Sequence, residues 1–309
     1  METVLITGGT GLIGTRLTQL LQQKKYNVAH LSRNKKNENS IITYAWNIKK
    51  GFLEEQAITS ANYIIHLAGA GIADQPWTTE RKKEIINSRV ESANLLFEKI
   101  KTLRPPLKAF ISASAIGYYG VVTSGNIFTE NDPPASDFLG KTCQLWEEAA
   151  DRIGNLETHL PGIRIRTVKI RTGMVLSNKG GALPKMANPV RNFIGAPLGT
   201  GKQYIPWIHI DDLCRIYIKA IEDVKMQGAY NGVAPQSITN RDFTKAIART
   251  LNKPLILPNV PQWILKIILG EMAVMVLEGS RVSCEKIMME GFSHEFPELD
   301  VALKELLKK

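Results

Sequence analysis

Eight residues near the start of the chain, Thr7-Gly8-Gly9-Thr10-Gly11-Leu12-Ile13-Gly14, set glycines three apart between an apolar run and an amphipathic one. Val4–Thr7 before them reads as a strand. Thr15–Lys25 after them reads as a helix with Leu17, Leu20 and Leu21 on one face. A glycine loop between strand and helix has a chemical meaning. Gly8 allows a tight turn, Gly11 lets the backbone approach a diphosphate, and Gly14 lets the helix pack closely on the strand. The helix start then offers free N–H groups and a positive dipole end to phosphate oxygens. A nucleoside-triphosphate loop shares the Gly9 and Gly14 spacing, but Thr15-Arg16 stands where it needs Lys and Ser or Thr. The loop, with Thr10, Leu12 and Ile13, reads as a dinucleotide site; a purely structural turn is the competing reading.

The second predicted strand, Asn27–Leu31, runs into Ser32-Arg33, with Lys35 and Lys36 beyond. An NAD site places Asp or Glu here to hold the ribose hydroxyls. A guanidinium instead suits a 2′-phosphate through charge-assisted, bidentate hydrogen bonds. These residues point to NADP; an ordinary solvated basic turn is the competing reading.

Few other polar residues can do chemistry. Ser112 lies near the end of the predicted strand Ala109–Ala113, Ser114, Tyr118 and Tyr119 follow it, and either tyrosine could supply a phenol as acid or base. His209 in WIHIDD could face a pocket as an acid/base or anion contact, or serve structurally; Lys185 is a further candidate on the substrate side. The five histidines show no ligand spacing, so no metal is expected. No GxSxG elbow is present, which argues against a serine hydrolase. Cys143, Cys214 and Cys284 lie far apart without CxxC spacing, the usage of a reducing compartment rather than of disulfides or zinc.

Regular elements must hold these residues. Tyr63–Leu67 reads as a buried strand leading into HLAGAGIA, and Thr167–Arg171 as a further strand. A helix is predicted over Glu80–Leu103, with Ile86, Val90, Ala93, Phe97 and Ile100 on its inner face. Another covers Leu139–Ile153, with Leu139, Cys143, Trp146, Ala150 and Ile153 inward and Gly154 closing it. Later come a short strand, Tyr204–Ile208, a helix capped by Asp211 or Asp212, and a capping box at Thr239 and Asp242. The alternation argues for an α/β fold: a Rossmann-like doubly wound parallel sheet with a smaller, mainly helical C-terminal substrate lobe. The expected division is 1–175 and 176–309, with one or two later segments returning to the sheet.

The net charge is +10, but the lysines are scattered and no aromatic-interleaved basic motif accompanies them, so nucleic acid is not expected. The most apolar stretch, Ile264–Leu277, is interrupted by Lys266, Gly270 and Glu271, which suits buried or interfacial helices and not a membrane span. The start, METVLITGG, has no basic leader and no cleavage site. A cytoplasmic protein acting on a small molecule, alone or as a homodimer, is the expectation.

TGGTGLIG, HLAGAGI and SASAIGYYG together resemble the extended short-chain dehydrogenase/reductases. NSR at 87–89, FLGKTCQLWEEAA at 138–150, IRTGMVL at 170–176, GGAL at 180–183 and PWIHIDDL at 206–213 look like one subgroup of them. So do NGVAP at 231–235, LGE at 269–271 and GFSHEFPELDVAL at 291–303. That subgroup is the NAD-dependent epimerase/dehydratase-like proteins with a C-terminal domain of unknown function, some labelled cell-division inhibitors. The resemblance implies NADP at Gly8, Thr10, Gly11, Leu12, Ile13, Gly14, Ser32, Arg33, Leu67, Ala68, Gly69, Glu84, Arg89 and Val175. Core packing is the competing reading of Leu67, Ala68 and Val175, and a surface ion pair that of Glu84 and Arg89.

The wider superfamily moves hydride with Ser/Thr, Tyr and Lys, the last two as YxxxK on one helical turn. Here the matching window is Leu139-Gly140-Lys141-Thr142-Cys143, aligned on Glu147, so Leu replaces Tyr and Cys replaces Lys. Lys141 does not rescue it, since two residues along a helix is a rotation of about 200°. Ser114 matches the family Ser/Thr and Tyr118 is the candidate phenol. Two functions follow: an NADP-dependent oxidoreductase or epimerase-like enzyme on a small polar substrate, or an NADP-binding regulatory protein with little turnover, linked to cell division.

Overall fold

Continuous apolar runs, rather than alternating ones, mark strands covered on both faces. Val4, Leu5, Ile6 and Thr7 are buried in β1 (Thr3–Thr7), as are all four residues of β5 (Tyr63–His66). The computed structural model describes residues 1–34 and 41–308; Lys35 and Lys36 lie outside the described residues. The other strands are β2 (Asn27–Ser32), β3 (Ile42–Asn47), β4 (Phe52–Leu53), β6 (Ala109–Ala115), β7 (Ile127–Phe128), β8 (Arg166–Thr172), β9 (Met174–Leu176), β10 (Trp207–His209), β11 (Gly228–Gly232) and β12 (Arg281–Val282). The helices are α1 (Leu12–Gln23), α2 (Glu55–Thr59), α3 (Thr79–Leu103), α4 (Phe138–Gly154), α5 (Ala182–Arg191), α6 (Ile210–Glu222), α7 (Asn240–Leu251), α8 (Gln262–Leu269), α9 (Val274–Leu277), α10 (Glu285–Met289) and α11 (Leu299–Leu307).

Among the described residues, eight strands form one sheet in the order β11-β8-β6-β5-β1-β2-β3-β4, parallel except for the β3–β4 pair. The chain leaves β1 toward β2 and β3, then returns to the other side of β1 as β5. That reversal opens a crevice at the carboxyl ends of β1 and β5, where doubly wound sheets bind ligands. Side chains of one strand feed two cores by turns. Val4, Ile6, Ile65 and Ile111 pack with α1 and α6; Leu5, Ile64 and Phe110 pack with α3 and α4. A third core, around Leu183, Trp207, Phe243, Ile247 and Leu303, joins α5, α7 and α11. β11 pairs with β8, and α6 packs beside α1, so both belong to the sheet layer.

Five expectations are corrected. α1 begins at Leu12 and not Thr15, inside the glycine loop. α3 buries Ile85, Ser92, Ala93, Leu96 and Ile100, whereas Ile86, Val90 and Phe97 are half-buried. The stripe is turned by one residue because Ser92 occupies an inner position to meet the ring of His66. The strand expected at Tyr204–Ile208 is β10, Trp207–His209, paired with β9, while Tyr204 only bridges to Thr239. α6 is capped by His209, whose Nδ1 accepts the Asp211 N–H, and not by Asp211 or Asp212. Gly154 is required for proximity rather than for a left-handed cap: a Cβ there would stand 2.6 Å from Thr167 Oγ1. Thr239 caps α7 as expected, its Oγ1 accepting the Asp242 N–H, while the Asp242 carboxylate accepts from the Thr239 hydroxyl. No helix of the described residues is long and apolar enough to cross a membrane.

Candidate functional site

The glycine loop is shaped by close approaches. Gly8 has φ +72°, the left-handed region, and a Cβ on it would lie 3.1 Å from the backbone of Leu67 and Ala68. The ends of β1 and β5 therefore touch and form the crevice floor. Thr7 Oγ1 accepts the Ala68 N–H (3.1 Å) and meets His66 Nδ1 (2.7 Å), while His66 Nε2 meets Ser92 (3.1 Å). Burial pushes the His66 pKa down to about 4, so the ring is neutral near pH 7.

A Cβ on Gly14 would stand 2.4 Å from Gly8 O and 2.7 Å from Gly9 Cα. Gly14 thus lets the helix pack on the loop itself and not, as expected, on the strand. At Gly11 a Cβ would meet Gly8 O at 3.3 Å, and no other atom within 4 Å. Gly11 caps α1 without a side-chain bond, and no acidic residue follows in the first turn. The first helical bond is Thr15 N–H to Gly11 O (2.9 Å), which leaves the Leu12, Ile13 and Gly14 N–H groups directed out of the helix end. Exposed Thr10, half-buried Ser32 and exposed Arg33 border this end. Gly180 and Gly181 of the GGAL segment pass over the Leu12 side chain, and half-buried Val175 lies on the adjoining β9.

Arg89 lies beneath the exposed Gly69 turn after β5. It donates from Nη1 to Ala70 O (3.0 Å) and Ile85 O (2.8 Å), and its guanidinium lies over Trp146 at 4.8 Å. A Cβ on Gly69 would be 3.1 Å from Arg89 Cζ. Burial pushes the Arg89 pKa down. No carboxylate of the described residues pairs with it. The surface ion pair with Glu84 does not form: Glu84 is exposed and pairs with Arg81 (2.6 Å). A largely buried cation without an acid is costly until an anion compensates it.

The chemical end of the crevice is a side-chain network. Ser114, Arg171 and Asn231 stand abreast on β6, β8 and β11. Arg171 forks onto Glu147 of α4, Nε to Oε1 at 2.8 Å and Nη2 to Oε2 at 2.9 Å, and Ser114 donates to the same Oε1 (2.7 Å). Arg171 Nη1 reaches Tyr119 Oη (3.0 Å) and Glu130 O (3.3 Å); Tyr119 donates to Asn231 Oδ1 (2.7 Å). Tyr119 is therefore committed to the network, and burial pushes its phenol up to about 12. Tyr118 differs. It is half-buried, and its ring lies flat against the Arg171 guanidinium, 3.4 Å from Cζ. The structure thus separates the two tyrosines that sequence left as alternatives.

Leu139 and Cys143 are buried as expected, under the turn Ile116–Tyr119: a Cβ on Gly117 would be 3.3 Å from Leu139 Cβ and 3.7 Å from Cys143 Sγ. Burial pushes the Cys143 thiol up to about 12, so it is inert at neutral pH. Lys141 points outward. His209 takes the structural role: it is buried, caps α6, stacks on Phe296 with centroids 3.8 Å apart, and sits 3.3 Å from Glu305. Lys185 is exposed on α5. Among the described residues no hydrogen bond or ion pair links Lys185 or His209 to the network, and no His/Cys/Asp/Glu cluster could hold a metal.

Residues 4–143 match the NAD dependent epimerase/dehydratase family, and residues 260–306 match a domain of unknown function (DUF1731). The chain is 35% identical over 308 residues to the epimerase family protein SDR39U1 of Mus musculus, covering 98% of this chain and 99% of that protein. It belongs to this epimerase family. The family protein YfhF of Bacillus subtilis is 33% identical over 98% of this chain and 97% of its own. The crystal structure of human SDR39U1 (isoform 2) with NADPH superposes with a TM-score of 0.86 at 35% identity, covering all of both chains. A UDP-glucose 4-epimerase of Thermotoga maritima, 17% identical with a TM-score of 0.76 over 99% of this chain and 98% of its own, shares the fold.

Two residues of this family member escaped the sequence analysis as site residues: Glu147, used there only to align the window, and Arg171, read as part of a strand. A signal existed for both. Glu147 falls on the apolar face of α4 with Cys143 and Ala150, and Arg171 sits in the strand TVKIRT among buried residues. Charges at inward positions imply partners.

Proposed function

We propose that this epimerase family member binds NADP(H) along the carboxyl ends of β1, β2 and β5 and uses it on a small polar substrate held between the sheet edge and the C-terminal lobe. Arg89 carries the reading: a largely buried guanidinium with no carboxylate partner among the described residues, beneath the turn that a diphosphate would cross. The residues present fit the group. The α1 N–H groups and the Arg89 cation meet phosphate, the Gly8–Ala68 floor admits a flat chain, and Arg33 meets a 2′-phosphate. When bound, the nicotinamide supplies or accepts the hydride. The chain itself supplies the proton, and Tyr118 is the group placed to hold it. Ser114, buried and donating to Glu147, positions that carboxylate rather than the substrate.

The Leu139–Cys143 window favours the second reading, an NADP-binding regulatory protein with little turnover. Two measurements separate the cases. NADPH should bind more tightly than NADH, and Gly11→Asp, which puts a carboxylate at the helix end, should abolish both; tighter NADH binding overturns the cofactor choice. NADPH-loaded protein is then mixed with sugar nucleotides, keto acids and quinones. Oxidation above the Gly11→Asp background supports the enzyme, and none across the panel supports the regulator.

A further inference from the structure

The superfamily arrangement places a phenol and a cation one turn apart on the helix that corresponds to α4. In this chain both α4 positions are apolar, and the turn Ile116–Tyr119 rests on them through Gly117. That turn carries Tyr118 against Arg171, which comes from β8. We propose that the phenol–cation pair has moved as a unit from α4 to this turn and β8, with Arg171 the positioning residue that holds and tunes Tyr118. The inference rests on the reading of Tyr118 as proton donor.

Three observations support it. Arg171 is immobilised by four acceptors on three elements: both oxygens of Glu147, Tyr119 Oη and Glu130 O. Its side chain is 4% exposed and that of Glu147 is 5% exposed, so water scarcely screens the guanidinium. The ring of Tyr118 covers its face, while the neighbouring Tyr119 spends its hydroxyl on Asn231. A buried ion pair is a poor stabiliser compared with apolar packing. Retaining one here, fully hydrogen-bonded and capped by a half-exposed phenol, is consistent with use of the cation. Unlike the lysine of the usual pair, an arginine stays protonated at all relevant pH and stacks flat on the ring.

The charges facing Tyr118 are Arg171 from β8 and Glu147 and Asp151 from α4; Tyr119 and Glu130 share its arginine, and Lys169 pairs with Asp151. Burial pushes the Tyr118 phenol up, Glu147 and Asp151 push the same way, and Arg171 opposes them. Removing the guanidinium alone should therefore raise the phenol further, with about a tenfold loss of phenolate at fixed pH.

Tetranitromethane attacks the phenolate, and peptide mass analysis resolves Tyr118 from the seven other tyrosines. Full-length protein is nitrated between pH 7 and 9 as wild type, Arg171→Lys, Arg171→Gln and the doubly neutral Arg171→Met/Glu147→Met. The double variant removes both charges, so it should fold where Arg171→Gln, which leaves Glu147 unpaired, does not; near-UV circular dichroism checks this. Tyr118 nitration should fall about tenfold in Arg171→Gln, fall by less in the double variant, which also loses the opposing Glu147 charge, and stay near wild type in Arg171→Lys. An unchanged or faster rate in a folded neutral variant overturns the proposal, since a merely structural arginine would expose the ring when removed. One arm needs no variant. In the wild type Tyr118 should nitrate faster than Tyr26, also half-buried but beside Glu222 and Glu2; a slower rate overturns the proposal as well. Neither arm requires bound cofactor, so failure here is distinct from failure to bind NADPH.

Discussion

The two ends of one crevice are made of different material. The phosphate end, where α1 leaves the glycine loop, is backbone: N–H groups, a left-handed glycine, and close contacts that a Cβ would block. The chemical end is side chains, converging from β6, the turn after it, α4, β8 and β11. The first reads a feature common to all phosphates and tolerates little change. The second sets a phenol against a cation away from the helix turn that carries such a pair in the wider superfamily. Backbone sites fix what is held, and side-chain networks can be reassembled around a new chemistry.

The contrast can be broken from the side-chain end first. Glu147→Ala leaves Arg171 buried and uncompensated, and should cost about 3–5 kcal/mol of stability in urea unfolding; NADPH affinity, set at the other end, should stay near wild type. A comparable loss of affinity would show that the two ends are coupled.

Acid should act on the phosphate end. His66 has its folded pKa lowered to about 4 from 6.5. Above pH 6.5 the ring is neutral in both states and contributes nothing. Below it the unfolded chain takes up a proton that the folded chain refuses, so stability falls as pH drops through the window from 6.5 to about 4. Between pH 6.5 and 5 the loss should be about 2 kcal/mol. His66→Gln should flatten this part of the profile; an unchanged slope assigns it elsewhere.

Arg89→Met sharpens the comparison, because its two effects have opposite signs. Without cofactor the variant should be as stable as wild type or more so, having lost a buried charge. With NADPH its affinity should fall about tenfold or more, by loss of a charge-assisted contact. A destabilised variant with normal affinity would make Arg89 purely structural. The smallest effect concerns selectivity: Arg33→Ser should reduce the preference for NADPH over NADH by about tenfold, with NADH affinity unchanged.

The same contrast explains what could be read in advance. The glycine loop is contiguous, so its turn, its helix and its phosphate site were legible together. So were β1, β2, β5, β6 and the apolar face of α4, where one periodicity runs unbroken. α3 was misread by one residue because Ser92 interrupts that periodicity to bond His66, a partner 26 positions away. The sequence left His209 open between a pocket contact and a structural role because nothing nearby shows that Phe296 stacks on it. The Ser114–Glu147–Arg171–Tyr119–Asn231 network spans more than a hundred positions and exists only once β6, β8 and β11 are side by side. Tyr118 and Tyr119, adjacent in sequence, could be told apart only by which of them faces Asn231.

The return of the chain to the sheet at β11 also governs how the molecule is made. During synthesis, everything up to residue 175 can emerge while β8 still has one edge open and the flank beside α1 still lacks α6. An exposed parallel edge invites pairing with the wrong strand. The sheet closes only after Gly232 has left the ribosome, so the nascent protein must carry a nearly complete nucleotide crevice with an unfinished border for more than fifty residues of translation.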